Sequence, residues 1–240
     1  MSTQATTLLL CRHGETDANA VGILQGQSES QLTALGRQQA ALLGAALSQL
    51  PLPQLAPVVY ASDLSRAADT ASAIIAAQEQ HALTLTTDER LRERRLGCFQ
   101  GLTISEIHKR FPRTWQAFTS DQPQPSGARK EVGADANGGY ELVAELRARV
   151  GAALHDISLI HEGQTILCVA HGGSIAAAIT SLTDTQCPPH IGNCSITRLT
   201  RVSAGAPWVL ESANETTHVV DAGAVGAKDD RNVDVAPRSR

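Results

Sequence analysis

The residues of this 240-residue chain with useful chemistry at neutral pH gather at a few points. Arg12-His13-Gly14 follows the apolar run Leu8-Leu9-Leu10-Cys11. Arginine presents a fixed fork of donors suited to an oxyanion, imidazole serves as nucleophile or base, and glycine lets a ligand approach the backbone. His171-Gly172-Gly173 repeats the arrangement after the apolar run Thr165–Ala170. Arg66 comes just after Ser62-Asp63-Leu64-Ser65, in the first turn of an expected helix, where the positive end of the macrodipole disfavours a cation unless an anion is present. Glu93 stands among Arg90, Arg92, Arg94 and Arg95, which would stabilise its ionised form if they lie near it in space. Each feature alone has an ordinary reading: a polar strand end facing water, a core histidine, an exposed arginine, a solvated charge run. Taken together they suit a site for an anion.

The elements that must carry these residues follow from periodicity. Short apolar runs predict strands over 8–11, 57–61, 82–86 and 165–170, with further strands near 195–202 and 208–212. Helices are predicted over 34–50, with Thr33 as N-cap and Leu43, Ala46, Leu47 and Leu50 on one face, and over 64–78, capped by Ser62, Asp63 or Ser65. Others run over 103–111, 141–161 and 174–181, and a short amphipathic piece around Trp115 and Phe118 covers the site or the core edge. Segment 17–32 reads as a loop wrapping the end of the first strand, and 120–139 as a surface insertion. His155 and His161 fall off the apolar stripe of their helix, so both are expected to be exposed, with no metal role. Strands alternating with helices predict an α/β fold in which the polar clusters fall at the carboxyl ends of strands, where such sheets build their sites. One domain over 1–220 is expected, followed by a disordered tail over 221–240, whose Gly, Ala, Asp and Arg show no pattern.

Composition narrows the function classes. A net charge of −4 and a pI near 6.0 argue against a nucleic-acid partner yet leave room for a local cationic pocket. Five widely spaced cysteines without a CxxC pair read as free thiols of a cytoplasmic protein, with Cys11 and Cys168 as small core residues and Cys194 nearest a pocket loop. No secretory signal or membrane-length apolar run is legible, so no membrane partner is expected. Oligomeric state cannot be read from these features.

Arg12-His13-Gly14-Glu15-Thr16 with Asn19 resembles the opening motif of the histidine phosphatase superfamily, the phosphoglycerate mutase-like proteins. Gln25-Gly26, Leu32-Thr33, Gly36 and Gln39-Ala40 resemble its continuation. Ser62-Asp63-Leu64-Ser65-Arg66-Ala67 resembles the second arginine motif, Leu91-Arg92-Glu93 with Gly97 and Gln100-Gly101 the acid-bearing segment, and His171-Gly172-Gly173 the second histidine. The resemblance implies a three-layer α/β/α domain with a mostly parallel central sheet. It implies His13 as the nucleophile that takes the phosphoryl group, with His171, Arg12 and Arg66 holding the phosphate oxygens. Glu93 would be the proton donor and later the activator of water, and Asn19 and Gly172 would complete the cradle. No metal or other cofactor is implied, since the arginines and His171 supply the positive charge.

Two segments depart from the family pattern. Glu29 and Gln31 stand where members often have aspartate and proline, and Gly138-Gly139-Tyr140-Glu141 carries an extra tyrosine, leaving Glu141 without an assigned role. The segment ERRLGCFQGLT resembles the phosphatase branch, so water is the expected acceptor and a metal-independent phosphomonoesterase acting on a small phosphorylated metabolite the expected activity. The alternatives are a cofactor-dependent phosphoglycerate mutase and an inactive phospho-ligand binding protein, the second disfavoured because His13, Glu93 and His171 are all present. Arg90, Arg94 and Arg95 either meet a second anionic group of the substrate or form a solvated charge run.

Overall fold

The computed structural model describes residues 4–50, 54–78, 81–120 and 139–226. In chain order its main elements are β1 (Thr6–Arg12), α1 (Asp17–Val21), α2 (Ala34–Gln49), β2 (Leu55–Ala61), α3 (Ser65–Ala77) and β3 (Thr84–Thr87). There follow α4 (Ile104–Arg110), α5 (Pro112–Thr119), α6 (Val143–Ile160), β4 (Thr165–Ala170), α7 (Gly172–Leu182), β5 (Ile196–Arg201), β6 (Val209–Glu215) and α8 (Thr217–Val220). The strands form one six-stranded sheet in the order β3-β2-β4-β1-β5-β6. β3, β2, β4 and β1 run parallel, while β5 and β6 pair antiparallel at the far edge.

The period-2 alternation of β1 and β4 divides the core between two helical layers. Leu8, Leu10, Ile166 and Cys168 face α6 and α7, whereas Leu9, Cys11, Leu167 and Val169 face α2 and α3. Both faces of these strands are therefore apolar, which is why they read as unbroken hydrophobic runs. A third cluster lies apart from the sheet, where Phe99, Phe111, Trp115, Phe118 and Tyr140 pack together over α4 and α5.

Several boundaries differ from expectation, each for a local reason. Segment 17–32 is not all loop: Thr16 and Asn19 form a reciprocal capping box that starts the five-residue helix α1. α3 has no side-chain cap from its own N-cap residue, Leu64. Its first turn is served instead from a distance by Glu29, whose Oε2 accepts from Ser65 N at 3.1 Å and from Ser65 Oγ at 2.5 Å. This anion at the positive end of the helix answers the presence of Arg66 there. His161 is buried, contrary to expectation, because the helix ends at Ile160 and the chain turns inward. Its Nε2 meets Tyr60 Oη at 2.9 Å and its Nδ1 meets Gln164 Oε1 at 2.9 Å, while Ile160 before it is 71% exposed.

β6 runs to Glu215, beyond the expected 212, and a single turn, α8, follows it. Within the expected tail, Ala224 is buried and its carbonyl accepts from Gln39 of α2. The remainder of the expected tail, 227–240, and nearly all of the expected insertion, 121–138, lie outside the described residues. Of the five cysteines, Cys11, Cys168 and Cys194 are buried. Burial raises the Cys11 thiol to about 12 and the Cys168 thiol further still, so both are inert core residues. Among the described residues no helix is long and apolar enough to cross a membrane.

Candidate active site

The parallel strands deliver their ends to one place. Arg12 is the last residue of β1 and His13 follows it; His171 is the N-cap of α7 directly after β4; Arg66 is the second residue of α3, reached from β2. Close packing brings α2 against the first of these turns. An added Cβ on Gly14 would lie 2.4 Å from the Gly36 carbonyl oxygen, so the backbone of His13-Gly14-Glu15 rests directly on the first turn of α2.

Arg12, His13, Asn19, Arg66, Glu93 and Gly172 line a single cavity that opens to solvent. His171 stands behind that wall, fully buried, with its ring centroid 5.1 Å from that of His13. Neither ring nitrogen of His171 has a hydrogen-bond partner among the described residues. A buried imidazole with both nitrogens unpaired beside a cavity is a group prepared for a polar ligand.

Each side chain is held by groups of its own. His13 Nδ1 lies 2.7 Å from the Gly14 carbonyl oxygen, an acceptor that fixes the proton on Nδ1 and leaves Nε2 as the nitrogen available to the cavity. Burial, reinforced by the charges of Arg66 and Arg12, holds the His13 imidazole well below its ordinary value, and the Gly14 bond opposes this. Burial likewise holds His171 well below its ordinary value, with Arg66, His13, Arg12 and Arg149 adding to the effect. Both rings are therefore neutral at neutral pH, as a nitrogen nucleophile requires.

Arg12 Nη1 donates to Ile191 O at 2.6 Å. Arg66 spans the loop before α1's successor helix, donating from Nη1 to Ser28 O and from Nη2 to Gly26 O, both at 2.8 Å. Burial lowers Arg66 to about 10, so it stays charged at neutral pH. Asn19 Oδ1 accepts from Thr16 N at 3.2 Å and Thr16 Oγ1 at 3.0 Å, leaving its amide nitrogen as the donor for the cavity.

Glu93 is placed by contacts that no local signal announces. Its Oε1 accepts from Arg94 N at 2.6 Å and its Oε2 from Gly173 N at 3.0 Å, on the first turn of α7. A side chain at Gly173 would put its Cβ 2.3 Å from Glu93 Oε1, so glycine is what admits the carboxylate there. The surrounding backbone is gathered by Arg149 of α6, which donates to the carbonyls of Arg90 at 2.8 Å, Arg92 at 2.9 Å and Glu93 at 3.3 Å. Arg149 is itself held by Glu141 in a two-point pair at 2.9 and 2.8 Å. Glu141, left without a role by the sequence, thus supports the segment that carries Glu93.

The arginine cluster separates into distinct fates. Arg90 pairs with Asp88 and Asp156, and Arg92 pairs with Asp63, at partly exposed positions. Arg95 is exposed. Arg94 alone of the four lines the cavity; it is 1% exposed, its guanidinium lies 3.8 Å from the Phe118 ring centroid, and its Nε donates to Glu141 O at 2.7 Å. Gln25, Leu96 and the segment Pro188-Pro189-His190-Ile191 also line it. Among the described residues no group of His, Cys, Asp or Glu side chains is arranged to hold a metal ion.

An open α/β sheet with two imidazoles, two arginines and a carboxylate gathered in and behind the wall of one cavity is suited to phosphoryl transfer through histidine. The chain belongs to the histidine phosphatase superfamily, branch 1, matched over residues 8–216. It is 30% identical over 223 residues to a metal-independent phosphoserine phosphatase of Arabidopsis thaliana, covering 93% of this chain and 87% of the relative. It is 35% identical over 221 residues to the phosphoglycerate mutase-like protein 4 of the same plant, covering 90% and 88%. Among solved structures, the phosphoserine phosphatase of Entamoeba histolytica in complex with 3-phosphoglyceric acid superposes with a TM-score of 0.70 at 28% identity, covering 89% of this chain and 99% of that one.

Proposed function

We propose that the chain hydrolyses phosphate monoesters of small metabolites, passing the phosphoryl group through Nε2 of His13. The observation that carries this reading is the His13 ring itself: neutral, fixed at Nδ1 by the Gly14 carbonyl, and bordered by Arg12, Arg66 and His171. In the first step Nε2 bonds to phosphorus while the ester oxygen leaves with a proton from Glu93. In the second, water attacks the phosphohistidine, Glu93 takes a proton from it, and phosphate departs from a regenerated imidazole. In both steps the equatorial oxygens of the transferring group need cations and donors in fixed places, which Arg12, Arg66, His171, Asn19 and the Gly172 N–H supply.

The leaving alcohol occupies the side of the cavity lined by Glu93, Arg94, Gln25 and Leu96. A third buried guanidinium there, Arg94, favours esters whose alcohol carries a carboxylate, the class to which phosphoserine and phosphoglycerate belong. The named activities of the Arabidopsis and Entamoeba relatives agree with that class. A panel of phosphoserine, 3-phosphoglycerate, sugar phosphates and p-nitrophenyl phosphate tests it. Release of phosphate, fastest from the carboxylated esters and with no isomerised phosphoglycerate, is the expected result; isomerisation in place of hydrolysis would instead make the protein a mutase.

A further inference from the structure

The peptide groups around His13 are held one by one. The His13 carbonyl accepts from Asn193 Nδ2 at 2.9 Å and Cys194 N at 3.3 Å, and the Gly14 N–H donates to Thr70 Oγ1 at 3.1 Å. The next peptide group is the one whose carbonyl, that of Gly14, accepts from the His13 ring. Its N–H belongs to Glu15 and donates to Oε1 of Gln39 at 2.8 Å. Gln39 lies on α2, is 1% exposed, and spends its other end on the backbone too, donating from Nε2 to Ala224 O at 2.8 Å. It does not line the cavity.

A peptide group is planar and trans, so fixing the Glu15 N–H fixes the direction of the Gly14 carbonyl on the opposite side of the same plane. That carbonyl holds the proton on Nδ1, and the ring can attack only from the tautomer that carries it there. We propose that Gln39 is a positioning residue for the nucleophile, holding the Glu15 N–H so that the Gly14 carbonyl selects the Nδ1-protonated ring of His13 and aims Nε2 into the cavity. The same amide fastens residue 224 to that peptide, so the backbone at Ala224 is tied to the nucleophile through one side chain. The proposal rests on His13 as the phosphorylated residue. A purely structural Gln39, fastening Ala224 to α2, would make the same contacts and leave the ring indifferent to its loss.

The test compares wild type with Gln39→Met, which keeps the volume and removes both hydrogen bonds, and with Gln39→Glu, which keeps an acceptor over the Glu15 N–H. Rapid quenching with p-nitrophenyl phosphate reads the rate of His13 phosphorylation, vanadate binding reads the oxyanion cradle, and 15N spectra of labelled histidine, assigned with a His13 variant, read the tautomer. For Gln39→Met the phosphorylation rate should fall about 10- to 100-fold, as expected for a slightly misaimed reacting group, with vanadate affinity within about threefold of wild type and the Nδ1-protonated signature lost. Gln39→Glu should recover the rate to within about fivefold. An unchanged rate and spectrum in Gln39→Met, or a rate that falls together with vanadate affinity while the tautomer stays fixed, would overturn the proposal. Should Gln39→Met not fold, a loss in folded Gln39→Glu as large as that expected for Gln39→Met overturns it equally. A wild type that carries no label on His13 defeats the functional reading and this proposal with it, whereas a labelled wild type with an equally fast Gln39→Met defeats this proposal alone.

Discussion

The two sides of the cavity are built differently. On the phosphate side, Arg12, His13, Arg66 and His171 leave directly from strand ends or a helix start and are buried in the main core. Their contacts run to backbone: Ile191 O, Gly14 O, Ser28 O and Gly26 O. On the alcohol side, Glu93 and Arg94 sit in irregular chain between β3 and α4, supported by Arg149, Glu141 and the separate aromatic cluster around Phe99 and Phe118. Phe99 packs edge-on against Trp115 at 5.2 Å and Phe118 at 5.1 Å, in a cluster outside the sheet. On the reading proposed above, the phosphoryl group falls to side chains carried by the sheet and the alcohol to a region that can change without disturbing the sheet.

That division predicts effects of graded size. Removing the nucleophile strikes both halves of the reaction, so His13→Ala should lower kcat by about 10⁴-fold or more with every substrate, measured as phosphate release. Glu93→Gln should cost about 10²–10⁴ in kcat with alkyl esters, whose leaving oxygen needs a proton, and far less with p-nitrophenyl phosphate. Equal losses on both would place Glu93 on the phosphate side and erase the distinction.

Arg94→Met keeps bulk over Phe118 and removes the charge. It should raise KM for a carboxylated ester by about 10- to 100-fold, the worth of a charge-assisted contact, and leave p-nitrophenyl phosphate nearly unaffected. A uniform loss across substrates would show that Arg94 serves the phosphoryl group.

The smallest expected effect is on stability. His13 and His171 titrate below 6.5 in the folded protein and near 6.5 when unfolded. Between those values the unfolded chain binds more protons, so stability rises with pH and is lost on acidification below about 6.5. Melting temperature should fall through that range in the free protein, and the fall should be shallower with bound phosphate, whose charge favours the protonated rings. A melting temperature that ignores both pH and phosphate would separate these imidazoles from any anion site.

How much of this was legible in the sequence follows the same division. Arg12-His13-Gly14, Arg66 and His171-Gly172 could be read because each sits within a few residues of an apolar strand that announces itself. Supports come from residues distant in sequence: Arg149, itself held by Glu141, reaches the Glu93 carbonyl across 56 positions, and Glu29 caps α3 from a loop 36 residues earlier. Nothing in local periodicity marks such residues, since an arginine on the polar side of a helix looks like any solvated charge. His161 is buried where exposure is expected for a related reason: the helix ends at Ile160 and the chain turns inward to Tyr60. The arginine cluster was open between substrate contact and charge run, and packing divided it, sending Arg94 inward and pairing Arg90 and Arg92 at the surface.

The account turns on which atom receives the phosphoryl group. Acid-labile, alkali-stable label trapped by rapid quenching during turnover and located by peptide mass spectrometry measures it directly. The account predicts label on the peptide carrying His13, formed as fast as turnover requires and absent from His13→Ala. Label on another residue, or steady turnover by His13→Ala, would contradict it.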